Sequence, residues 1–365
     1  MAAEFPQTKL TKIVQNLICF CEIFVKKFLI IFRYMDKISL INVIRWLRRS
    51  VISLGCLIFI AFLPGCSSMM GHYLATSDSY PYADIGEVDR IESLGFVKQK
   101  YCQTSSGICM SYFLGQPLGN RKLSYNVELD GGSTASQVQL ALERETESPQ
   151  ERGTVVLIHG FRISKEFMIS SALYFRFLGF DVILPDLLGH GETPGEKAYG
   201  VGDSYIINDL INIEVEQGEA LYLVGNSMGA VSAMYISSMR EDINGIVLQA
   251  PMIAFDQAVL SYMHSNHPFL SLFLSDQDIL DAASIALEKA DLTVEETDIG
   301  PFLRRSKTPV LILASESDPV APYSGFTPFE SDVVSVMKFS DRNHPSMAVI
   351  GNRAHQRIAQ WLAGK

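Results

Sequence analysis

The segment Gly225-Asn226-Ser227-Met228-Gly229 places a serine midway between two glycines, after the apolar run Leu221–Val224 and before a helix-compatible stretch. A serine on so tight a strand-to-helix turn adopts a strained backbone, and only glycine avoids a clash two residues before and after it. The helix that follows directs unpaired backbone N–H groups at the same spot. The segment therefore predicts an exposed hydroxyl beside a site that stabilises negative charge, although five residues also match this pattern in ordinary loops.

The pattern around this turn predicts an α/β architecture. Continuous apolar runs are typical of strands that are covered on both faces. Here such runs alternate with helix-compatible segments, so a mostly parallel sheet flanked by helices is expected. The predicted strands are Thr154–Ile158, Asp181–Pro185, Leu221–Val224, Gly245–Leu248, Val310–Ala314 and Val333–Phe339. The predicted helices are Glu166–Leu178, Tyr205–Glu216, Ala230–Met239 and Arg353–Leu362. Earlier β-forming runs, Met110–Leu114, Lys122–Leu129 and Gln137–Leu142, predict antiparallel strands before the sheet.

Residues 252–305 interrupt this alternation, and apolar side chains are concentrated in their first half. Connections of this length between strands usually have a function of their own. We interpret the segment as a helical cap above the sheet that supplies substrate-binding residues. A simple packing subdomain is the alternative.

Four local signatures resemble those of the α/β-hydrolase superfamily. They are His159-Gly160-Phe161 after one strand, Asp186-Leu187-Leu188-Gly189-His190-Gly191 after the next, the turn at Ser227, and a late Asp followed by His. Within the superfamily, the chain is similar to the monoacylglycerol lipase, lysophospholipase and serine-aminopeptidase-like group over about residues 110–363. The resemblance implies the α/β-hydrolase fold with a cap.

The superfamily orders its catalytic residues as Ser, then Asp or Glu, then His. Ser227 is accordingly the predicted nucleophile, Asp318 the residue that orients the histidine, and His344 the general base. The backbone N–H groups of Phe161 and Met228 are the predicted oxyanion hole. No cofactor is needed for this chemistry.

Alternatives remain open for two of these residues. Glu316 and Asp341 are rivals to Asp318, which would then simply cap a turn. His344 would otherwise be a surface loop histidine. His355, which also follows the last predicted strand, lies inside the terminal helix pattern.

The remaining histidines suggest other roles. His159 and His190 are expected to shape loops. His264 and His267 stand at helical spacing in the cap, but two ligands do not make a site, and no metal is expected.

The N-terminal residues differ in charge from the rest. Residues 1–65 carry nine Lys/Arg and three Asp/Glu, a net charge of +6, and the remainder carries 21 and 37, a net of −16. The acidic remainder argues against nucleic acid as a partner. The basic segment Arg45–Arg49, the apolar run Val51–Leu63 and then Cys66 resemble a bacterial lipoprotein signal, although Pro64 departs from the usual small residue. The resemblance implies cleavage before Cys66 and its acylation, and Ser67 after it implies delivery to the outer membrane.

Residues 1–34 do not fit a signal peptide, and Met35 is an alternative start. Two cysteines, Cys102 and Cys109, lie beyond the signal. They either pair across six residues or remain thiols.

The sequence thus predicts an N-terminal extension and signal over 1–65, a tether over 66–88, and a hydrolase domain over 89–365 with its cap at 252–305. The expected activity is hydrolysis of carboxylic esters such as lysophospholipids or monoacylglycerols by an exported, membrane-anchored enzyme. An aminopeptidase or amidase on the same scaffold, supported by Asp276, Asp278 and Asp281 in the cap, and an inactive binding scaffold are the alternatives.

Overall fold

The computed structural model describes residues 67–77, 88–104, 107–131, 135–145 and 152–364. The chain divides into two compact units, Met1–Gly65 and Cys66–Lys365, and every described residue belongs to the second. Cys66, the signal segment, Met35 and residues 78–87 of the predicted tether lie outside the described residues.

Ten strands are present in the described part of the chain. They are β1 (Phe96–Cys102), β2 (Cys109–Gly115), β3 (Lys122–Asp130), β4 (Ala135–Glu143), β5 (Thr154–Ile158), β6 (Asp181–Pro185), β7 (Leu221–Asn226), β8 (Ile243–Gln249), β9 (Val310–Ser315) and β10 (Val334–Phe339). Eight of them form one sheet in the order β1-β2-β6-β5-β7-β8-β9-β10. Strands β5 to β10 run parallel to one another, whereas β2 pairs antiparallel with both β1 and β6.

Helices lie between and around these strands. They are α1 (residues 67–76), α2 (Val88–Ser93), α3 (Ile169–Leu178), α4 (Val201–Glu214), α5 (Gly229–Met239), α6 (Phe255–Asn266), α7 (Asp276–Glu288), α8 (Val294–Thr297), α9 (Gly300–Arg305) and α10 (Asn352–Ala363). The parallel strands are covered on both faces, and every residue of β5 and β9 is buried. Their continuous apolar sequences follow from this double coverage, which confirms the predicted mostly parallel sheet.

The N-terminal strands differ from the prediction. Of the three strands predicted there, only β2 joins the main sheet, while β3 and β4 form a separate two-stranded antiparallel sheet. β1 was not predicted, because its four central residues are exposed and carry no apolar pattern. The alternating burial of β4 is that of a strand with one solvated face.

A disulfide joins Cys102 at the end of β1 to Cys109 at the start of β2. The two residues are direct partners in the antiparallel register. The structure therefore selects the paired alternative over two free thiols.

The segment predicted as a cap consists of α6 to α9 and lies between β8 and β9. Phe255, the first residue of α6, packs edge to face on Phe161 in the loop after β5, with ring centroids 5.3 Å apart. The cap thus contacts a loop at the carboxyl edge of the sheet, where ligands bind in open parallel sheets.

Helix α1 occupies part of the segment predicted as a tether. Gly71 lies so close to α7 that an added Cβ would stand 2.8 Å from the Ala282 carbonyl oxygen. The Lys197 ammonium donates to the Ser77 carbonyl just after the helix, at 2.6 Å. These ten residues are packed helix rather than linker. Within the described residues, none of the helices combines the length and apolar character needed to cross a bilayer.

Candidate active site

The turn at Ser227 has the strained geometry that its glycines predicted. Ser227 follows β7 directly and adopts a left-handed conformation, with φ of 49°. A Cβ on Gly225 would stand 2.7 Å from the Ala230 Cα, and one on Gly229 would stand 2.2 Å from the Ile158 carbonyl oxygen. No side chain fits at either position. The two glycines therefore allow the chain to reverse from β7 into α5 and hold the serine outward.

The three residues predicted as a triad are brought together. His344 Nε2 lies 2.9 Å from Ser227 Oγ, and His344 Nδ1 lies 2.7 Å from Asp318 Oδ2. Each residue follows the carboxyl end of a parallel strand, β7, β9 or β10, and these ends share one edge of the sheet. A hydroxyl bonded to an imidazole that is itself oriented by a carboxylate is the arrangement of an activated nucleophile.

Asp318 is fixed in a fully buried position. Its second oxygen, Oδ1, accepts hydrogen bonds from the backbone N–H groups of Val320 and Ala321 at 2.8 and 3.0 Å. Its rivals lie elsewhere: Glu316 pairs with a surface lysine, and Asp341 is exposed. Since a carboxylate accepts but does not donate, Asp318 requires the proton of His344 on Nδ1, which leaves Nε2 free to accept from Ser227.

The loop after β5 lies against the serine. A Cβ on Gly160 would stand 3.0 Å from the Ser227 Cβ, so only glycine allows this approach. The next residue is Phe161, and Met228 is the residue that caps the start of α5. The oxyanion hole formed by the backbone N–H groups of Phe161 and Met228 remains a prediction that this loop position supports.

Two buried histidines bind loops rather than the nucleophile, as predicted. His159 Nε2 accepts from the Leu187 N–H at 3.0 Å, and its Nδ1 lies 2.8 Å from the Gly160 carbonyl oxygen. Burial lowers the pKa of His159. His190 Nδ1 lies 2.8 Å from the Leu188 carbonyl oxygen, and burial, followed by the neighbouring His159, lowers its pKa to about 3. Both rings are therefore neutral at pH 7.

A buried ion cluster holds the same two loops together, and no local sequence pattern predicts it. Lys165 is completely buried, and its ammonium lies 2.6 Å from Asp186 and 3.0 Å from Glu192. Burial alone lowers the pKa of Lys165, but the charges of Asp186 and Glu166 outweigh burial and raise it. Asp186 also accepts the Lys165 backbone N–H at 2.8 Å. The cluster positions the segment that begins four residues after Phe161.

The β3–β4 hairpin supports the loop that carries His344, a contact that sequence reasoning also missed. The Asn343 side chain donates to the Leu129 carbonyl at 2.8 Å, and the Asn343 backbone N–H donates to the Ser136 hydroxyl at 3.0 Å. Tyr125 donates to the Ile350 carbonyl at 2.5 Å. Nothing in the local sequence pairs these residues, which lie about two hundred positions apart.

The two histidines of the cap have different partners. His264 Nε2 lies 2.9 Å from Asp276 on the surface, whereas the His267 ring packs edge to face on Tyr262. Among the residues that the structure describes, no group of three or more His, Cys, Asp or Glu side chains is arranged to hold a metal ion.

Aromatic rings line the region beside the nucleophile. Phe161 stacks on Tyr199 at 6.0 Å, and both rings contact Phe255 from the cap at 5.3 and 4.7 Å. Phe161 is half-buried, whereas the other two rings are fully buried. The loop next to Ser227 therefore presents an apolar surface beneath the cap.

Known proteins share the fold of this chain. A protein-family model described as Serine aminopeptidase, S33 matches residues 149–289, which is less than half of the chain. Among solved structures, an esterase from Pyrococcus furiosus superposes with a TM-score of 0.51 at 17% identity, over 74% of this chain and 92% of that one. The chain has the α/β-hydrolase fold. This confirms the superfamily resemblance and the fold class predicted from the sequence.

Curated relatives match this chain only in part. The lipase LipV of Mycobacterium tuberculosis is 27% identical over 39% of this chain and 51% of its own length. Epoxide hydrolase 3 of Siraitia grosvenorii is 33% identical over 24% of this chain and 28% of its own length. The chain thus spans about half or less of the length of these two relatives. Because the fold carries many chemistries, the reaction has to be argued from the site.

Proposed function

We propose that the protein is a serine hydrolase that cleaves carboxylic esters through an acyl-enzyme intermediate. The observation that carries this proposal is the continuous chain of hydrogen bonds from Ser227 through His344 to the buried Asp318, at 2.9 and 2.7 Å. An inactive binding scaffold would need neither this alignment of three groups nor the strained backbone of Ser227. The similarity to proteins named as lipase and esterase supports the same chemistry.

In the proposed reaction, Ser227 Oγ attacks the ester carbonyl carbon while His344 Nε2 takes the hydroxyl proton. The carbonyl oxygen becomes an oxyanion, which the backbone N–H groups of Phe161 and Met228 stabilise. His344 then returns the proton to the leaving alkoxide as the C–O bond breaks. Water hydrolyses the remaining acyl-serine by the same proton transfers. Asp318 keeps the His344 ring in the tautomer that accepts at Nε2.

The proposed substrates are lysophospholipids or monoacylglycerols. The half-buried ring of Phe161 beside Ser227 and the apolar contacts of the cap favour an acyl chain over a polar acyl group. The cap then selects the chain length.

We further propose that the mature chain is a lipoprotein of a bacterial cell envelope, anchored through acylated Cys66 and facing the periplasm from the outer membrane. The order of basic, apolar and cysteine residues supports export. The Cys102–Cys109 disulfide supports an oxidising compartment, because disulfides persist outside the cytosol.

One experiment tests the chemistry. The wild-type chain should react with a fluorophosphonate probe and hydrolyse p-nitrophenyl esters, with the highest kcat/KM at medium or long acyl length. Ser227→Ala should lose both probe labelling and hydrolysis, since it removes the nucleophile. Full activity of the alanine variant would make the assignment wrong.

A serine aminopeptidase is the second candidate, because the matched family model carries that description. It would need free carboxylates in the cap to receive a substrate amine. Asp276 instead bonds to His264, Asp278 caps α7 through Ser275, and Asp281 accepts from Gln277. These contacts favour the esterase, and comparison of aryl esters with amino-acyl anilides distinguishes the two.

A further inference from the structure

Four large apolar side chains are exposed in the turn between α6 and α7 of the cap. Phe269, Leu270, Leu272 and Phe273 are 70%, 50%, 78% and 63% exposed, and the two phenylalanine rings pack on each other at 5.2 Å. Single exposed apolar residues are common, but four within five positions form a patch of the kind that marks an interaction site. We call residues 269–273 the apolar tip.

The N-terminal end of the described fold lies at the same end of the cap as the apolar tip. The Ser67 hydroxyl donates to Asp278 at 3.3 Å, and Lys289 donates to His72 at 2.6 Å. Helix α1 therefore runs parallel to α7, with both helices starting at one end. Because α7 starts three residues after Phe273, the chain that precedes Ser67 joins the fold beside the apolar tip.

The position of this junction indicates what covers the tip. The sequence immediately before Ser67 contains Cys66 and the thirteen-residue apolar run Val51–Leu63. Attachment to a membrane through either of them brings a lipid surface next to Ser67. Met69, one turn into the first helix and 73% exposed, adds a further apolar side chain at this end.

The chemistry of the tip fits a neutral lipid surface. Phenylalanine and leucine side chains insert into the boundary between headgroups and acyl chains. The charged residues that follow the tip in the sequence, Asp276 and Asp278, are acidic, so they do not attract anionic headgroups. Insertion of apolar side chains has to provide the contact.

We propose that the apolar tip, residues 269–273, docks into the surface of the membrane that anchors the chain and so holds the cap against the lipid. This rests on the membrane attachment proposed above and does not depend on ester hydrolysis. The tip belongs to the same cap whose first helix packs on Phe161, so docking places the lipid on the element that covers the active site.

The test introduces a tryptophan as a depth probe in the full-length chain, reconstituted into phosphatidylcholine vesicles with or without brominated acyl chains. Leu272→Trp places the probe in the tip. Ile213→Trp is the matched control, since Ile213 is 62% exposed and lies on α4. The fluorescence of the wild-type chain, which contains two tryptophans, is subtracted.

We expect the added fluorescence at position 272 to shift to shorter wavelength on vesicles and to fall about twofold with brominated lipid, whereas position 213 changes in neither respect. Phe269→Asp combined with Phe273→Asp in the Leu272→Trp background should abolish the quenching without lowering the thermal unfolding midpoint, because both rings are exposed. Hydrolysis of p-nitrophenyl acetate, measured on each variant, reports the proposed activity separately.

Two results would overturn the proposal. Equal quenching at positions 272 and 213, or none at either, would show that the tip does not enter lipid. A blue shift at position 272 that appears without vesicles and grows with protein concentration would show that a second copy of the chain covers the tip instead.

Discussion

Asp318→Asn is the substitution that most directly tests how the buried carboxylate controls the active site. The side chain keeps its shape, but one oxygen becomes an NH2 group. In the wild-type protein Oδ1 accepts two backbone N–H groups, from Val320 and Ala321, and Oδ2 lies 2.7 Å from His344 Nδ1. The asparagine oxygen has to stay with the two N–H donors, because the opposite orientation would leave both donors unpaired, at about 1–3 kcal/mol for the buried one. Its NH2 group then faces His344.

This orientation reverses the tautomer of the histidine. An NH2 group donates, so Nδ1 of His344 has to accept, and its proton moves to Nε2. Nε2 can then no longer take the proton of Ser227, which lies 2.9 Å away. Loss of the correct tautomer in a triad lowers the rate about 10⁴-fold, which corresponds to about 5 kcal/mol of transition-state stabilisation. Because the fold keeps all of its hydrogen bonds, the free energy of unfolding should change by less than about 1 kcal/mol.

The assay measures kcat/KM for p-nitrophenyl acetate, the rate of fluorophosphonate labelling and the thermal unfolding midpoint on the same preparations. Glu316→Gln and Asp341→Asn are matched controls that remove the rival carboxylates, and both should keep wild-type activity. Asp318→Ala should reduce activity to a similar extent. It should also unfold at lower temperature, because it removes the oxygen that accepts the two backbone N–H groups. An Asp318→Asn enzyme within tenfold of wild type, or an equal loss in either control, would refute the reasoning.

Four further predictions address the surrounding structure. Gly229→Ala should abolish probe labelling and lower the unfolding free energy by more than about 3 kcal/mol in denaturant titrations, because its Cβ would stand 2.2 Å from a carbonyl oxygen. Lys165→Met should cost about 3–5 kcal/mol in the same titrations, since it leaves a buried carboxylate without its cation. The free energy of unfolding should decrease as the pH is lowered from 6 to 4. His190 has a pKa of about 3 in the fold and stays neutral over this range, whereas in the unfolded chain it protonates near pH 6.5. His190→Asn should reduce that slope by about 1.4 kcal/mol per pH unit, and an unchanged slope would contradict it. Replacing Cys102 and Cys109 together with serine should cost about 2–3 kcal/mol, measured without reductant.

The features that could be predicted from the sequence are those with local causes. The clash that excludes side chains at Gly225 and Gly229 depends only on the tightness of the turn around Ser227, and five residues encode it. Strands β5 and β9 are buried along their whole length, so their sequences carry an unbroken apolar signal. The resemblance to the superfamily implied the order of Asp318 and His344 after the serine, and both residues follow strand ends at the edge where ligands bind in such a sheet.

The features that could not be predicted depend on distant partners. Helix α1 contains Ser, Gly and Tyr in a sequence that is typical of a linker, and it is stabilised by packing on α7 rather than by helix propensity. Four central residues of strand β1 are exposed. The strand therefore forms because it pairs with β2, and its sequence carries no burial pattern. A lysine is ordinarily expected at the surface, and only the fold shows that Asp186 and Glu192 surround the Lys165 ammonium.

Helix α1 also connects the first described residues of the chain to the surroundings of the active site. On one side Gly71 contacts Ala282 and Ile285 of the cap. On the other side the Arg162 guanidinium lies over the Tyr73 ring at 5.0 Å. Arg162 directly follows Phe161, the residue whose N–H group is proposed to stabilise the oxyanion, and it adopts a left-handed backbone with φ of 57°. Helix α1 therefore packs against both the cap and the loop next to the nucleophile. If the proposed membrane attachment precedes Ser67, the same helix links the attachment point to the loop proposed to stabilise the oxyanion.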